Sequence, residues 1–199
     1  MRLTIVGVMG PGEGALPQEC DRAFGLGQRI ATAGWVLLTG GRNAGVMNAA
    51  NRGAKAAGGL TLGLLLADSY EGMSDAVDIA ILTGMGQARN AINVLSSEVV
   101  IACGMGLGTA SEVALALKVG KPVILISDDD LAYRFFLQCL AKHGDSERRR
   151  SPEISPSSSP VLHRVSTVDE AIAHVHQLMH DSIVDLIVKN DEIEKNPGF

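Results

Sequence analysis

Aromatic side chains are scarce in this chain. Phe, Trp and Tyr make up 4% of its 199 residues, too few for the stacking platforms that grip single-stranded nucleic acid. Positive charge is also in deficit: 17 Lys and Arg face 22 Asp and Glu, which gives a formal net charge of -5 and a pI near 5.5. A phosphate backbone calls for a basic face, so nucleic acid is excluded as the main partner. Cysteine is limited to Cys20, Cys103 and Cys139. That odd, widely spaced set excludes a disulfide framework or paired-cysteine zinc site and points to a reducing cytoplasm. No apolar run is long enough to cross a membrane, since Leu60–Ala67 falls well short. The opening Met1–Val8 reads as a first strand and not as a signal peptide. The dinucleotide fingerprint is missing too: the first loop reads Gly7–Val8–Met9–Gly10–Pro11–Gly12, and no acidic residue ends the second strand.

What is present is Ala, Val, Leu and Ile, which supply most of a 46% hydrophobic content. Such a balance suits Ala-rich helices packed on a parallel sheet of branched side chains, and the length suffices for one substantial core. We expect a single domain over residues 1–199. Strand patterns at Trp35–Thr39, Leu60–Leu66, Ala76–Leu82, Val99–Cys103, Val123–Ile126 and Val161–Val165 alternate with helical ones. The helices are expected over Cys20–Ala31, Gly45–Ala57, Gln87–Leu95, Ser111–Val119 and Thr167–Met179, the last opened by a capping box, Thr167–Val168–Asp169–Glu170. Repeated βαβ units of this kind predict an α/β, three-layer, Rossmann-like fold with a mostly parallel sheet. Between about 127 and 160 the pattern lapses into a short helix, Leu131–Leu140, a charged run to Arg150, and a Ser- and Pro-rich stretch, read as a mobile surface excursion.

Two glycine turns carry the chemistry. Gly104–Met105–Gly106–Leu107–Gly108–Thr109 joins a buried strand to a helix, and Thr39–Gly40–Gly41–Arg42–Asn43–Ala44–Gly45 does the same earlier in the chain. Backbone N–H groups can approach a ligand closely there, and the helix start adds unpaired donors at its positive end. Two cradles on one sheet imply one shared crevice for a phosphate or similar oxyanion. Arg89, at a helix start after Gly84–Met85–Gly86, offers a permanent charged fork, the alternative being an ordinary helix-face ion pair. Arg42 would crowd a helix N-terminus with positive charge unless an anion lies nearby. Asn43 either contacts the ligand or caps that helix. Thr109 and Glu112 have Thr-x-x-Glu spacing, whose plain explanation is a capping box. His176 and His180 are four apart without a third ligand, and Asp128–Asp129–Asp130 reads as a solvated turn.

The motif pair, Gly40–Gly41 with Gly45–Val46–Met47 and then Gly106–Leu107–Gly108–Thr109–Ala110–Ser111–Glu112, resembles the Rossmann-like group of the molybdenum cofactor carrier proteins. That group also includes the Lonely-guy cytokinin riboside monophosphate phosphoribohydrolases. The hydrolase motif P-G-G-x-G-T-x-x-E is kept at Gly106, Gly108, Thr109 and Glu112, and its upstream arginine at Arg89. Gly104 stands in place of the proline, Met105 of the first glycine and Asn90 of the hydrolase lysine, which brings the chain closer to the carriers. The resemblance implies the molybdenum cofactor (molybdopterin) as a carried anionic ligand, bound without turnover, in a homo-oligomer, dimer or tetramer. The residues expected to hold it are Gly10, Gly40, Gly41, Arg42, Asn43, Gly45, Arg89, Asn90, Gly104, Met105, Gly106, Leu107, Gly108, Thr109 and Glu112. The alternative is hydrolysis of a nucleoside 5′-monophosphate, with Arg89 holding the substrate and Glu112 as the acid/base group.

Overall fold

The structure is a computed structural model that describes residues 3–150 and 161–195, with side chains described over 3–142 and 161–181. Seven strands, β1 (Ile5–Met9), β2 (Val36–Thr39), β3 (Thr61–Leu65), β4 (Ile79–Leu82), β5 (Val99–Cys103), β6 (Val123–Ile126) and β7 (Leu162–Val165), form one parallel sheet in the order β4-β3-β2-β1-β5-β6-β7. Six helices accompany them: α1 (Pro17–Thr32), α2 (Gly45–Ala56), α3 (Asn90–Ser96), α4 (Leu107–Lys118), α5 (Leu131–Arg150) and α6 (Val168–Lys195). This is the expected three-layer α/β, Rossmann-like architecture. The strand order reverses between β1 and β5, so the chain leaves their C-terminal ends towards opposite faces, to α1 on one and α4 on the other. Ligands of open α/β sheets bind at that kind of opening.

The alternation of side chains builds the layers. Val6 and Val8, Val99 and Ile101, and Ile124 and Ile126 point to one face, where Ala23, Leu26 and Ile30 of α1, Val46, Ala50 and Ala54 of α2, and Ala171 and Val175 of α6 cover them. Met9, Val100, Ala102, Val123 and Leu125 point to the other, under Val94 of α3, Val113, Ala116 and Leu117 of α4, and Phe136 of α5. Helices α1 and α2 touch backbone to backbone. A Cβ on Gly53 would lie 2.0 Å from the Phe24 carbonyl oxygen, and one on Gly27 would lie 2.1 Å from that of Ala50. Only hydrogen fits at that crossing.

Several local expectations need correction. β4 begins at Ile79 and not at Ala76, because Ala76 to Asp78 forms a turn in which the Thr61 hydroxyl donates to the Ala76 carbonyl and accepts from the Asp78 N–H. α4 begins at Leu107, four residues before Ser111, with Gly106 as its N-cap. α5 continues to Arg150 instead of stopping near Leu140. The Ser- and Pro-rich stretch 151–160 and the end of the chain after 195 lie outside the described residues. The capping box at α6 forms as expected: Glu170 accepts from the Ser166 and Thr167 N–H groups, and the Thr167 hydroxyl accepts from the Glu170 N–H. Ala50 and Ala54 of α2 are buried in the core.

Candidate functional site

A crevice of about 890 Å³ opens over the β1/β5 divergence. Its walls come from the β1–α1 loop (Gly10, Gly12, Glu13), the β2–α2 loop (Gly40, Arg42), the entry to α3 (Gln87, Arg89, Asn90) and the first turns of α4 (Gly106, Leu107, Gly108, Thr109, Ser111, Glu112). The two glycine turns do share one hollow. The structure thus brings together Gly10, Gly40, Arg42, Arg89, Asn90, Gly106, Leu107, Gly108, Thr109 and Glu112. It places five others elsewhere. Gly41 donates its N–H to the Thr39 hydroxyl at 3.0 Å and turns away. Asn43 lies in a separate cleft with Arg52, Lys55 and Asp75, and its N–H donates to the Gly72 carbonyl. It does not cap α2 either, since the N-cap is Ala44. Gly45 packs on the carbonyls of Pro11 and Gly12. Gly104 and Met105 face a neighbouring cleft beside Glu19, Arg22 and Phe135.

Because α4 starts at Leu107, the Thr109–Glu112 capping box does not form. Both residues sit inside the helix and are buried. No side chain caps Gly106, so the first-turn N–H groups of α4 reach the crevice with no intrahelical acceptor. Leu107, at 94% exposure, stands out into solvent at the rim.

Arg89 and Glu112 form the polar floor, each only 6% exposed. Arg89 Nη1 donates to Glu112 Oε1 at 3.4 Å and to Asn90 Oδ1 at 3.0 Å, and Asn93 Nδ2 donates to the same Glu112 oxygen at 2.8 Å. Asn90 Nδ2 donates to the Ser111 hydroxyl at 2.9 Å, completing the stitch between α3 and α4. Burial pushes the Glu112 carboxyl above its ordinary range, against the pull of Asn93 and Arg89. Burial likewise draws the Arg89 guanidinium down, with Glu112 holding it up and Arg42 adding repulsion. Arg89 Nε has no hydrogen-bond partner among the described residues. Asn51 Nδ2 and Asn93 Oδ1 share that state, and each such buried group costs about 1–3 kcal/mol.

Gly40 makes this placement possible, since a Cβ there would lie 2.5 Å from Arg89 Nη2. Arg42 already has the anion its position demands: Glu13 of the neighbouring loop pairs with it. Sequence reasoning missed Glu13 and Asn93. The signal for Asn93 was its spacing four residues after Arg89, which puts both on one helix face. Cys103, closing β5, is buried with its thiol donating to the Glu19 carbonyl, and burial pushes it up to about 12. His176 packs on Trp35, while Asp128 and Asp130 pair with Arg22 and Arg134. Among the described residues no group of three His, Cys, Asp or Glu is arranged to hold a metal, and no helix is long and apolar enough to cross a membrane.

Residues 3–156 match the SLOG cluster4 family. The molybdenum cofactor binding protein from the phototrophic bacterium Rippkaea orientalis is 51% identical and superposes with a TM-score of 0.78, covering 90% of this chain and 99% of that one. The Moco carrier protein from Chlamydomonas reinhardtii is 45% identical at a TM-score of 0.74, with the same coverage. An uncharacterized protein of Archaeoglobus fulgidus is 44% identical over 128 residues, 62% of this chain and 80% of its own length.

Proposed function

We propose that this chain, which belongs to the SLOG cluster4 family, binds and carries the molybdenum cofactor, an anionic phosphorylated small molecule, without turning it over. The observation that carries this reading is a single crevice lined by the Arg89 and Arg42 side chains and by an uncapped helix start. Backbone donors at Gly106, Leu107, Gly108 and Thr109 and the charges of Arg89 and Arg42 would hold the phosphate or the oxo-metal end. The similarity to the Rippkaea and Chlamydomonas proteins supports that cargo. Net charge supports a small anion over nucleic acid. We place the protein in the cytoplasm as one ligand-binding domain in a homo-oligomer, for which the exposed Ile79 and Ile81 of edge strand β4 offer apolar surface.

Native mass spectrometry of freshly isolated protein tests both cargo and subunit count. Retained cofactor, or saturable uptake of added cofactor that Arg89→Ala weakens, is the expected result. Equal, weak binding by wild type and Arg89→Ala refutes the proposal.

A second reading rests on the raised Glu112 carboxyl, which suits a general acid at an N-glycosidic bond. Against it, the Oε1 of Glu112 is taken by both Arg89 and Asn93. Release of free base and ribose 5-phosphate from AMP, abolished in Glu112→Gln, would favour the enzyme over the carrier.

A further inference from the structure

We infer that Glu13 is a resident stand-in for the ligand: its carboxylate occupies the Arg42 guanidinium until an incoming anion displaces it. This rests on the reading of the crevice as an anion site and adds to it a device that decides which anions enter.

The two arginines of the crevice are neutralised in opposite ways. Arg89 meets Glu112 below the surface, with both side chains nearly inaccessible and Asn93 fastening the carboxylate. Arg42 meets Glu13 in the open, with side chains 37% and 71% exposed, across the gap between the β2–α2 and β1–α1 loops. Both oxygens of Glu13 engage the guanidinium, Oε1 on Nη2 and Oε2 on Nη1 at 3.4 Å, in the two-pronged arrangement that a phosphate also makes. Arg42 is the only side-chain partner of Glu13 among the described residues. An exposed pair of this kind contributes little, so exchanging its carboxylate for a more highly charged oxyanion is favourable. The buried pair has no such freedom, because removing one partner would strand the other.

Glu13 therefore sets a threshold. A monocarboxylate gains nothing by replacing an identical group, whereas a phosphate ester or oxometalate brings more charge to Arg42 and also meets Arg89 in the same crevice. Vacating the clasp leaves Arg42 and Arg89 to face one anion together, and the repulsion between them favours a guest bearing at least two charges.

Calorimetric titration of the full chain with inorganic pyrophosphate tests this in four proteins: wild type, Glu13→Gln, Arg42→Gln and the double variant. Glu13→Gln is expected to tighten binding about threefold, the scale of an exposed ion pair removed from competition. The gain is expected to vanish in the Arg42→Gln background. Unchanged or weaker binding in Glu13→Gln overturns the inference, as does an undiminished gain in the Arg42→Gln background, which would mean general repulsion only. Crystals soaked in pyrophosphate give an independent answer: Arg42 on the anion with Glu13 released supports the exchange, and Arg42 still on Glu13 beside a bound anion refutes it. Pyrophosphate binding that Arg89→Gln leaves intact removes the anion-site reading itself, while an Arg89-dependent site indifferent to Glu13 removes only the clasp.

Discussion

Gly40→Ala is the sharpest probe of how the crevice is set. The new methyl carbon would lie 2.5 Å from Arg89 Nη2, 2.7 Å from Met47 Sδ and 3.1 Å from Arg89 Cζ. Gly40 is not among the glycines with positive φ, so alanine strains no backbone and the perturbation is purely steric. Restoring ordinary contact requires the guanidinium to retreat by about 1 Å. Met47 can yield, but the Arg89 guanidinium is held by Glu112 and Asn90, so the cost to the fold falls within the overpacking range, about 1–3 kcal/mol. Binding weakens as well. Hydrogen bonds to a charged group contribute about 1.5–3 kcal/mol, and losing half of that alignment weakens an anion about tenfold. Titration with pyrophosphate measures the affinity, and urea unfolding measures the stability. Wild-type affinity in Gly40→Ala, with several kcal/mol of stability lost, would refute the reasoning: Gly40 would then be a packing residue and Arg89 no anchor for anions.

Gly53→Ala should act on the fold alone. Its methyl group meets the Phe24 backbone, which cannot swing aside, so the overpacking cost is at the upper end, about 3 kcal/mol, and after the helix-propensity gain of ~1 kcal/mol the net loss is about 2 kcal/mol, a fall in Tm of roughly 4–8 °C. A rise in Tm on calorimetry would contradict the α1–α2 contact. Arg89→Gln should steepen the pH dependence of stability. Glu112 takes up its proton more readily folded than unfolded, so its contribution declines as pH rises through the interval above the ordinary glutamate value, and losing Arg89 widens that interval. A urea midpoint for the variant that stays flat as pH rises above the ordinary glutamate value would be the wrong result. Alkylation with iodoacetamide at pH 8 should modify exposed Cys139 rapidly and leave Cys103 untouched until the protein unfolds. Early modification of Cys103, read by peptide mass, would place its thiol nearer the crevice than the structure does.

The sheet was readable where strands are buried on both sides. Val99–Cys103 and Val123–Ile126 are continuous apolar runs bounded by polar or turn residues, and both appear with the expected limits. The start of α4 was not, because Gly106–Leu107–Gly108 has the composition of a loop, and the bond from Asn93 of α3 to Glu112 that ties the helix start down is non-local. The site divides along the same line. Glycine turns and Arg89 announce themselves locally, whereas the pairing of Glu13 with Arg42, 29 positions apart, and of Asn93 with Glu112, 19 apart, exists only once the loops converge. The Thr-x-x-Glu spacing suits a capping box and two buried positions within one helix alike, and Thr109–Glu112 was resolved by burial, which sequence does not carry.

The hydrogen-only crossing of α1 and α2 reaches further than the core. Each of those helices is preceded by a loop that forms one side of the ligand's entrance, and the loops are joined at the base by the Val46 N–H donating to the Pro11 carbonyl. Two sides welded at both ends cannot spread apart, so they behave as a fixed jaw. The opposite rim is built differently: a short helix and an uncapped helix start meet there through Asn90–Ser111 and Asn93–Glu112 above the packing of Val94 on Val113.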